Sequence, residues 1–108
     1  VRRLLGHRGH LGHHRHPRGA LFDLRFDAYS IPDMFLVDYP EEMLVVQTGW
    51  RGDESYAGPR YPGGIAGPGY GEAPGMFIKG KSDFFVVRVI GGEPGTAWDY
   101  QVQCRAAR

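Results

Sequence analysis

ALFDLRFDA, residues 20–28, decides the class of fold. In it Phe22, Leu24 and Phe26 alternate with Asp23, Arg25 and Asp27. Successive side chains of an extended strand leave opposite faces, so a period of two sets three large apolar groups on one side and three charges on the other. A helix would scatter the same residues around its circumference. The segment therefore predicts a half-buried strand with one face turned to a core.

The neighbouring sequence follows the same logic. YSIPD (29–33) interrupts the strand, because Pro32 cannot donate to a ladder. MFLVDY (34–39) and MLVVQTG (43–49) read as a hairpin around Pro40, Glu41 and Glu42. MFIKGK (76–81) and SDFFVVRVIG (82–91) read as two more strands, and Pro94-Gly95 suits the central positions of a type II turn. AWDYQVQC (97–104) closes the pattern, with Trp98, Tyr100, Val102 and Cys104 inward and Asp99, Gln101 and Gln103 outward. Six short strands, no helix, and a chain with 17 Gly and 8 Pro argue for an all-β fold. The expectation is a small antiparallel β-sandwich or jelly roll spanning residues 20–108, carrying an extended basic N-terminal arm.

Two segments break the alternation. Residues 49–75 include WRGDESYAGPRYPGGIAGPGYGEAPG, which is studded with Gly and Pro and reads as one long loop, with room for a short strand around Tyr56 or Ile65. Loops of that length in a compact domain usually carry function. Residues 1–19 form the arm. Its stretch GHRGHLGHHRHPRG (6–19) holds all five histidines of the chain, and the arm contains no acid.

Charge is divided unevenly. The net charge is +1, yet Arg2, Arg3, Arg8, Arg15 and Arg18 all lie in the arm, leaving eight basic against twelve acidic residues in the body. A basic arm on an acidic body suits an anionic partner: nucleic acid, a membrane surface, or the acidic face of another subunit. Arginine makes bidentate contacts with phosphate or carboxylate. No aromatic residue in positions 1–20 offers base stacking, which weakens the nucleic-acid reading. The imidazoles of His7, His10, His13, His14 and His16 suit Zn, Ni or Cu, but glycines at 6, 9 and 12 work against a fixed ligand geometry. The arm is expected to dock on a neighbouring protein chain.

Two stretches together resemble a known family. FDAYSIPD, followed by strands, and FFVVRVIGGEPGTAWDYQVQC near the end resemble the opening and the closing hairpin of bacterial pre-peptidase C-terminal modules and, more distantly, CUB modules. The resemblance implies an exported, non-catalytic jelly roll, calcium-binding in some members, and so an extracellular or periplasmic setting. This chain departs from the family in lacking its second acidic strand motif and in carrying the arm and the long loop.

The remaining chemistry is modest. Asp27, Asp33, Asp38 and Asp53 are the candidate calcium ligands, since hard cations take several carboxylate and carbonyl oxygens from loops, although their spacing fits no EF-hand. Arg51-Gly52-Asp53 spells the tripeptide that integrins read. Trp50, Tyr56, Tyr61 and Tyr70 are candidates for an aromatic platform that binds a sugar or a protein surface. The single cysteine, Cys104, excludes an intrachain disulfide framework and reads as a small buried or edge residue. No apolar run approaches the ~20 residues of a membrane span, and the start lacks the apolar core of a signal peptide. No histidine lies in the body, so a Ser-His-Asp or Cys-His arrangement would have to borrow one from the arm; there is no phosphate loop, and a carboxylate pair for glycoside chemistry depends on distances that the sequence does not give. The sequence thus reads as a non-catalytic binding or structural module, a subunit of a larger assembly docked through its arm. Calcium-dependent binding of polysaccharide or protein, and nucleic-acid binding through the arm, are the alternatives.

Overall fold

The computed structural model describes residues 2–7 and 20–105. Eight strands run in the order β1 (Arg2–His7), β2 (Ala20–Asp27), β3 (Asp33–Tyr39), β4 (Met43–Arg51), β5 (Ile65–Gly67), β6 (Tyr70–Phe77), β7 (Phe85–Gly91) and β8 (Asp99–Arg105). They form a five-stranded sheet, β1-β7-β3-β4-β5, and a three-stranded sheet, β6-β2-β8. Every pairing is antiparallel except β4 with β5. The fold is a small β-sandwich. No helix among the described residues is long and apolar enough to cross a membrane.

The alternation read in 20–28 builds the core. Phe22, Leu24 and Phe26 of β2, with Ala28 just beyond its end, are buried in one cluster with Phe35, Val37 and Tyr39 of β3 and Phe85, Val87 and Val89 of β7. Phe22 stacks on Phe85 with ring centroids 5.7 Å apart, and Phe26 on Phe35 at 5.1 Å. Burying a side chain of this size stabilises by roughly 1.5–3 kcal/mol, so these rings dominate what holds the sheets together. In the β7–β8 turn Gly95 has φ of 81°, as the second central position of the type II turn requires.

Three expectations need correction. First, residues 76–81 are not a strand of their own. Only Met76 and Phe77 are extended, as the end of β6, which begins at Tyr70 inside the segment read as loop. The long loop contracts to residues 52–64. Within it Glu54–Tyr56 is one 3-10 turn rather than a strand, while Ile65–Gly67 is the short strand β5. The cause lies in β2. Its register sets Phe22 against Gly75, Leu24 against Ala73 and Phe26 against Gly71, so the small inward residues of β6 leave space for the rings beside them. Alternation exists in β6, but between the small inward Gly71, Ala73 and Gly75 and the larger outward Tyr70, Glu72, Pro74 and Met76, where hydrophobicity does not reveal it.

Second, not all of residues 1–19 stand apart from the body. Arg2–His7 runs antiparallel to β7, Arg2 against Ile90 and His7 against Phe85, as the outer strand of the larger sheet. The backbone of Arg2 and Arg3 is therefore paired with β7 of its own chain. Arg8, Arg15, Arg18 and the histidines from His10 to His16 lie outside the described residues.

Third, the strand expected over 82–91 begins only at Phe85, and residues 78–84 form an anchored connection from β6 to β7. Tyr39 Oη donates to the Ser82 carbonyl at 2.7 Å and accepts from the Gly80 N–H at 2.8 Å, while the Tyr39 ring stacks on Phe77 at 4.0 Å. Burial pushes the Tyr39 phenol above its ordinary pKa, although the Gly80 bond favours its anion. The Glu41 carboxylate accepts from the Ser82 N–H at 2.9 Å and from its hydroxyl at 2.8 Å, and Glu42 accepts from the Ile78 N–H. Desolvation opposes the charged form of Glu41, but these hydrogen bonds outweigh it and hold the carboxyl below its usual 4.5.

Candidate functional site

Three connections meet at one end of the sandwich: the β2–β3 turn, the end of β4 and the β5–β6 turn. Backbone hydrogen bonds tie them. The Ala28 N–H donates to the Gly69 carbonyl at 2.9 Å, Gly52 to Gly67 at 3.0 Å and Asp53 to Ser30 at 2.9 Å. Gly69 is needed at this crossing, since a Cβ there would lie 2.1 Å from the Tyr29 carbonyl oxygen. Tyr29 itself has φ of 60°, an unfavourable conformation for a residue with a Cβ. The Asp27 carboxylate holds it there by accepting from the Tyr29 N–H at 2.8 Å.

These turns enclose two adjoining grooves of about 310 Å³ each, one lined by Gly52, Asp53, Glu54, Ile65, Gly67 and Pro68, the other by Asp27, Tyr29, Ser30, Pro68, Gly69 and Tyr70 among others. They share Gly52, Asp53 and Pro68, so they form one continuous surface. A shallower depression of about 170 Å³, between Arg25, Asp27, Asp99 and Gln101, continues it past Asp27. Tyr29 is 53% and Tyr70 69% exposed, so both rings offer apolar area to a ligand.

The charge here is negative. Asp27, Asp53 and Glu54 line the grooves, and Asp53 also caps the 3-10 turn by accepting from the Ser55 N–H at 3.2 Å. The nearest cation, Arg51, is turned inward. Its Nε donates to the Pro68 carbonyl at 2.9 Å and its Nη2 to the Tyr70 carbonyl at 3.4 Å, and its guanidinium lies 4.9 Å from the Phe26 ring centroid. Arg51 thus braces the floor of the site. This arrangement also accounts for Arg51-Gly52-Asp53: Arg51 is half-buried and Gly52 buried, so the tripeptide is not presented at a loop tip.

Of the expected aromatic platform only Tyr70 is at this surface. Trp50 is 9% and Tyr61 2% exposed, packed edge to face at 5.0 Å. Trp50 pairs with Met34, on the side of the sheet opposite the core residue Phe35, and residues 52–64 fold back so that Tyr61 covers it. Tyr56 is half-buried with its ring 6.5 Å from that of Tyr61. Burial pushes the Tyr61 phenol above its ordinary pKa, with the Glu93 carboxylate adding to the shift. Arg60, ion-paired with Glu93 at 2.6 Å, fastens this loop to the β7–β8 turn. The sequence shows the polarity and spacing of these aromatics, but not which face they cover.

The four aspartates expected around calcium are not brought together. Asp33 is fully buried, Asp38 is paired with Arg88 at 2.5 Å, and Asp27 and Asp53 cap their own turns. Among the described residues no three His, Cys, Asp or Glu side chains gather where they would hold a metal ion. Tyr29 and Glu54 complete the groove. The sequence signal for Tyr29 was weak, a tyrosine two positions after an aspartate before Ser-Ile-Pro. No family model, no curated protein and no solved structure matches the chain.

Proposed function

We propose that the chain is a non-catalytic binding module, a subunit of a protein assembly, whose acidic groove takes an extended cationic segment of a partner protein. The observation that carries this reading is the continuous groove around Gly52, Asp53 and Pro68, bordered by Asp27, Asp53, Glu54 and two exposed tyrosines. Carboxylates at the rim attract lysine and arginine, and tyrosine faces favour a cation placed over them. Arg51 bonds only neutral carbonyl oxygens, so its charge remains and offsets one carboxylate, but Asp27, Asp53 and Glu54 outnumber it at the groove. The strained backbone at Tyr29 supports the same site, because such strain concentrates where side chains are held for binding.

The test is an NMR titration of the labelled chain with a short arginine-glycine peptide, with a glutamate-glycine peptide and a neutral oligosaccharide in parallel. The arginine peptide should move the amide signals of residues 27–30, 52–54 and 69–70 and leave the rest in place. Asp27→Asn with Asp53→Asn should weaken it about tenfold, since each removes a rim charge worth up to about 1 kcal/mol. Asn keeps the oxygen that accepts from Tyr29 or Ser55, so the turns survive. Shifts scattered over the surface, or binding of the oligosaccharide alone, would overturn the reading.

A further inference from the structure

The smaller sheet has two edges, and they are built differently. β6 carries Pro74, which has no N–H to offer, between two glycines. β8 carries no proline and no lysine, and its seven residues pair with β2 without a bulge. Among the described residues no strand pairs with its other side, an edge of the kind proteins usually blunt. The inward positions of β8 are also incompletely covered. Tyr100 and Val102 are only half-buried and Cys104 is exposed, whereas Phe22, Leu24 and Phe26 beside them on β2 are at most 4% exposed.

The sequence of β8, DYQVQCR, is self-complementary when read against its own reverse. An antiparallel pair centred on Val102 sets Val102 against Val102, Gln101 against Gln103, Tyr100 against Cys104, and Asp99 against Arg105 at both ends. Opposite charges therefore meet at both ends, like amides flank the centre, and the inward positions Tyr100, Val102 and Cys104 meet one another. Arg105 already holds Asp23 at 2.9 Å, yet its guanidinium has five donors and its side chain is 49% exposed.

We infer that β8 is a homodimer interface: two copies of this chain pair antiparallel through Asp99–Arg105 about a two-fold axis at Val102, joining their three-stranded sheets into one of six. The arrangement is isologous, so it closes and does not propagate. It rests on the backbone edge of β8 and not on the groove between the turns, although the depression that continues the groove past Asp27 reaches Asp99 and Gln101.

Sedimentation of the intact chain should show a dimer. Asp99→Arg sets like charges opposite each other at both ends and should weaken dimerisation about tenfold or more; Arg105→Asp should do the same. Mixing the two variants restores opposite charges at both ends, so the mixture should form a heterodimer. D99R/R105D in one chain should dimerise again. Register is read by cysteines placed in a Cys104→Ser background. Gln101→Cys mixed with Gln103→Cys, and Val102→Cys alone, probe adjacent cross-strand pairs. One of these is the closely spaced pair, with Cα atoms about 4.5 Å apart, within disulfide reach. A monomer at every accessible concentration, dimers indifferent to charge reversal, or no cross-link in either cysteine experiment would overturn the inference.

Discussion

Gly75 lies in the stretch whose sequence reads as loop and whose structure is strand, and replacing it with alanine separates the two by sign. A loop glycine with ordinary backbone angles is stabilised by alanine, by about 0.4–1 kcal/mol, through lost freedom in the unfolded chain. In the sandwich the added Cβ would sit 2.2 Å from Phe22 Cζ and 2.6 and 2.7 Å from Cε1 and Cε2. Carbon atoms pack at about 3.5–4.0 Å, so a displacement of more than about 1 Å is required. The ring has no room to retreat, being 1% exposed, stacked on Phe85 at 5.7 Å and 6.1 Å from Phe77. Overpacking costs about 1–3 kcal/mol, and a clash of this depth belongs at the upper end. For a domain of this size each kcal/mol shifts the melting temperature by about 4–8 °C, so Gly75→Ala should melt roughly 10–25 °C lower in circular dichroism. Phe22→Leu in the same chain shortens the opposing side chain and should recover part of the loss, a coupling of about 1 kcal/mol or more. An unchanged or raised melting temperature for Gly75→Ala would refute the packing of β6 on β2.

Three further outcomes follow from named contacts. Tyr39→Phe removes only the hydroxyl that bridges Gly80 and Ser82, and should cost about 2 kcal/mol in denaturant unfolding while leaving the stack on Phe77; no change would show that the bridge is idle. The Glu41 carboxyl titrates below 4.5, so its contribution is present above that pH and is lost as pH falls through the lower folded-state value. Glu41→Gln should therefore melt below the parent chain at pH 6, with the gap closing towards pH 3, and a gap that widens in acid would contradict the hydrogen bonds assigned to it. Arg51→Ala should cost about 1–2 kcal/mol, reduced by the partial exposure of the side chain, and Arg51→Lys should recover less than half. The lysine ammonium lacks the fork that spans two carbonyls, so full recovery would mean that charge alone matters.

Residues 20–28, 34–39, 43–49 and 97–104 announce their own structure, because each places large apolar side chains at every second position and water sorts the two faces wherever the strand ends up. Strand β6 does not, because its inward residues are small only in answer to the rings of β2. Trp50 and Tyr61 misled for the converse reason: nothing local says that a loop will fold back and cover the outer face of a sheet. The candidate groove was legible only in pieces, as Asp27, Asp53 and Tyr70, while the turn that sets Tyr29 beside them depends on Gly69 crossing beneath it.

Composition and periodicity by themselves determined the all-β class, the two-faced strands, the basic start ahead of an acidic remainder, and the absence of histidine from residues 20–108. Those properties belong to single segments and to sums over residues. Which strands pair, which aromatics are hidden, which aspartates stay at the surface and how three turns enclose a groove were decided by the tertiary structure. These are relations between segments far apart in the chain, set by close packing across a shared interior.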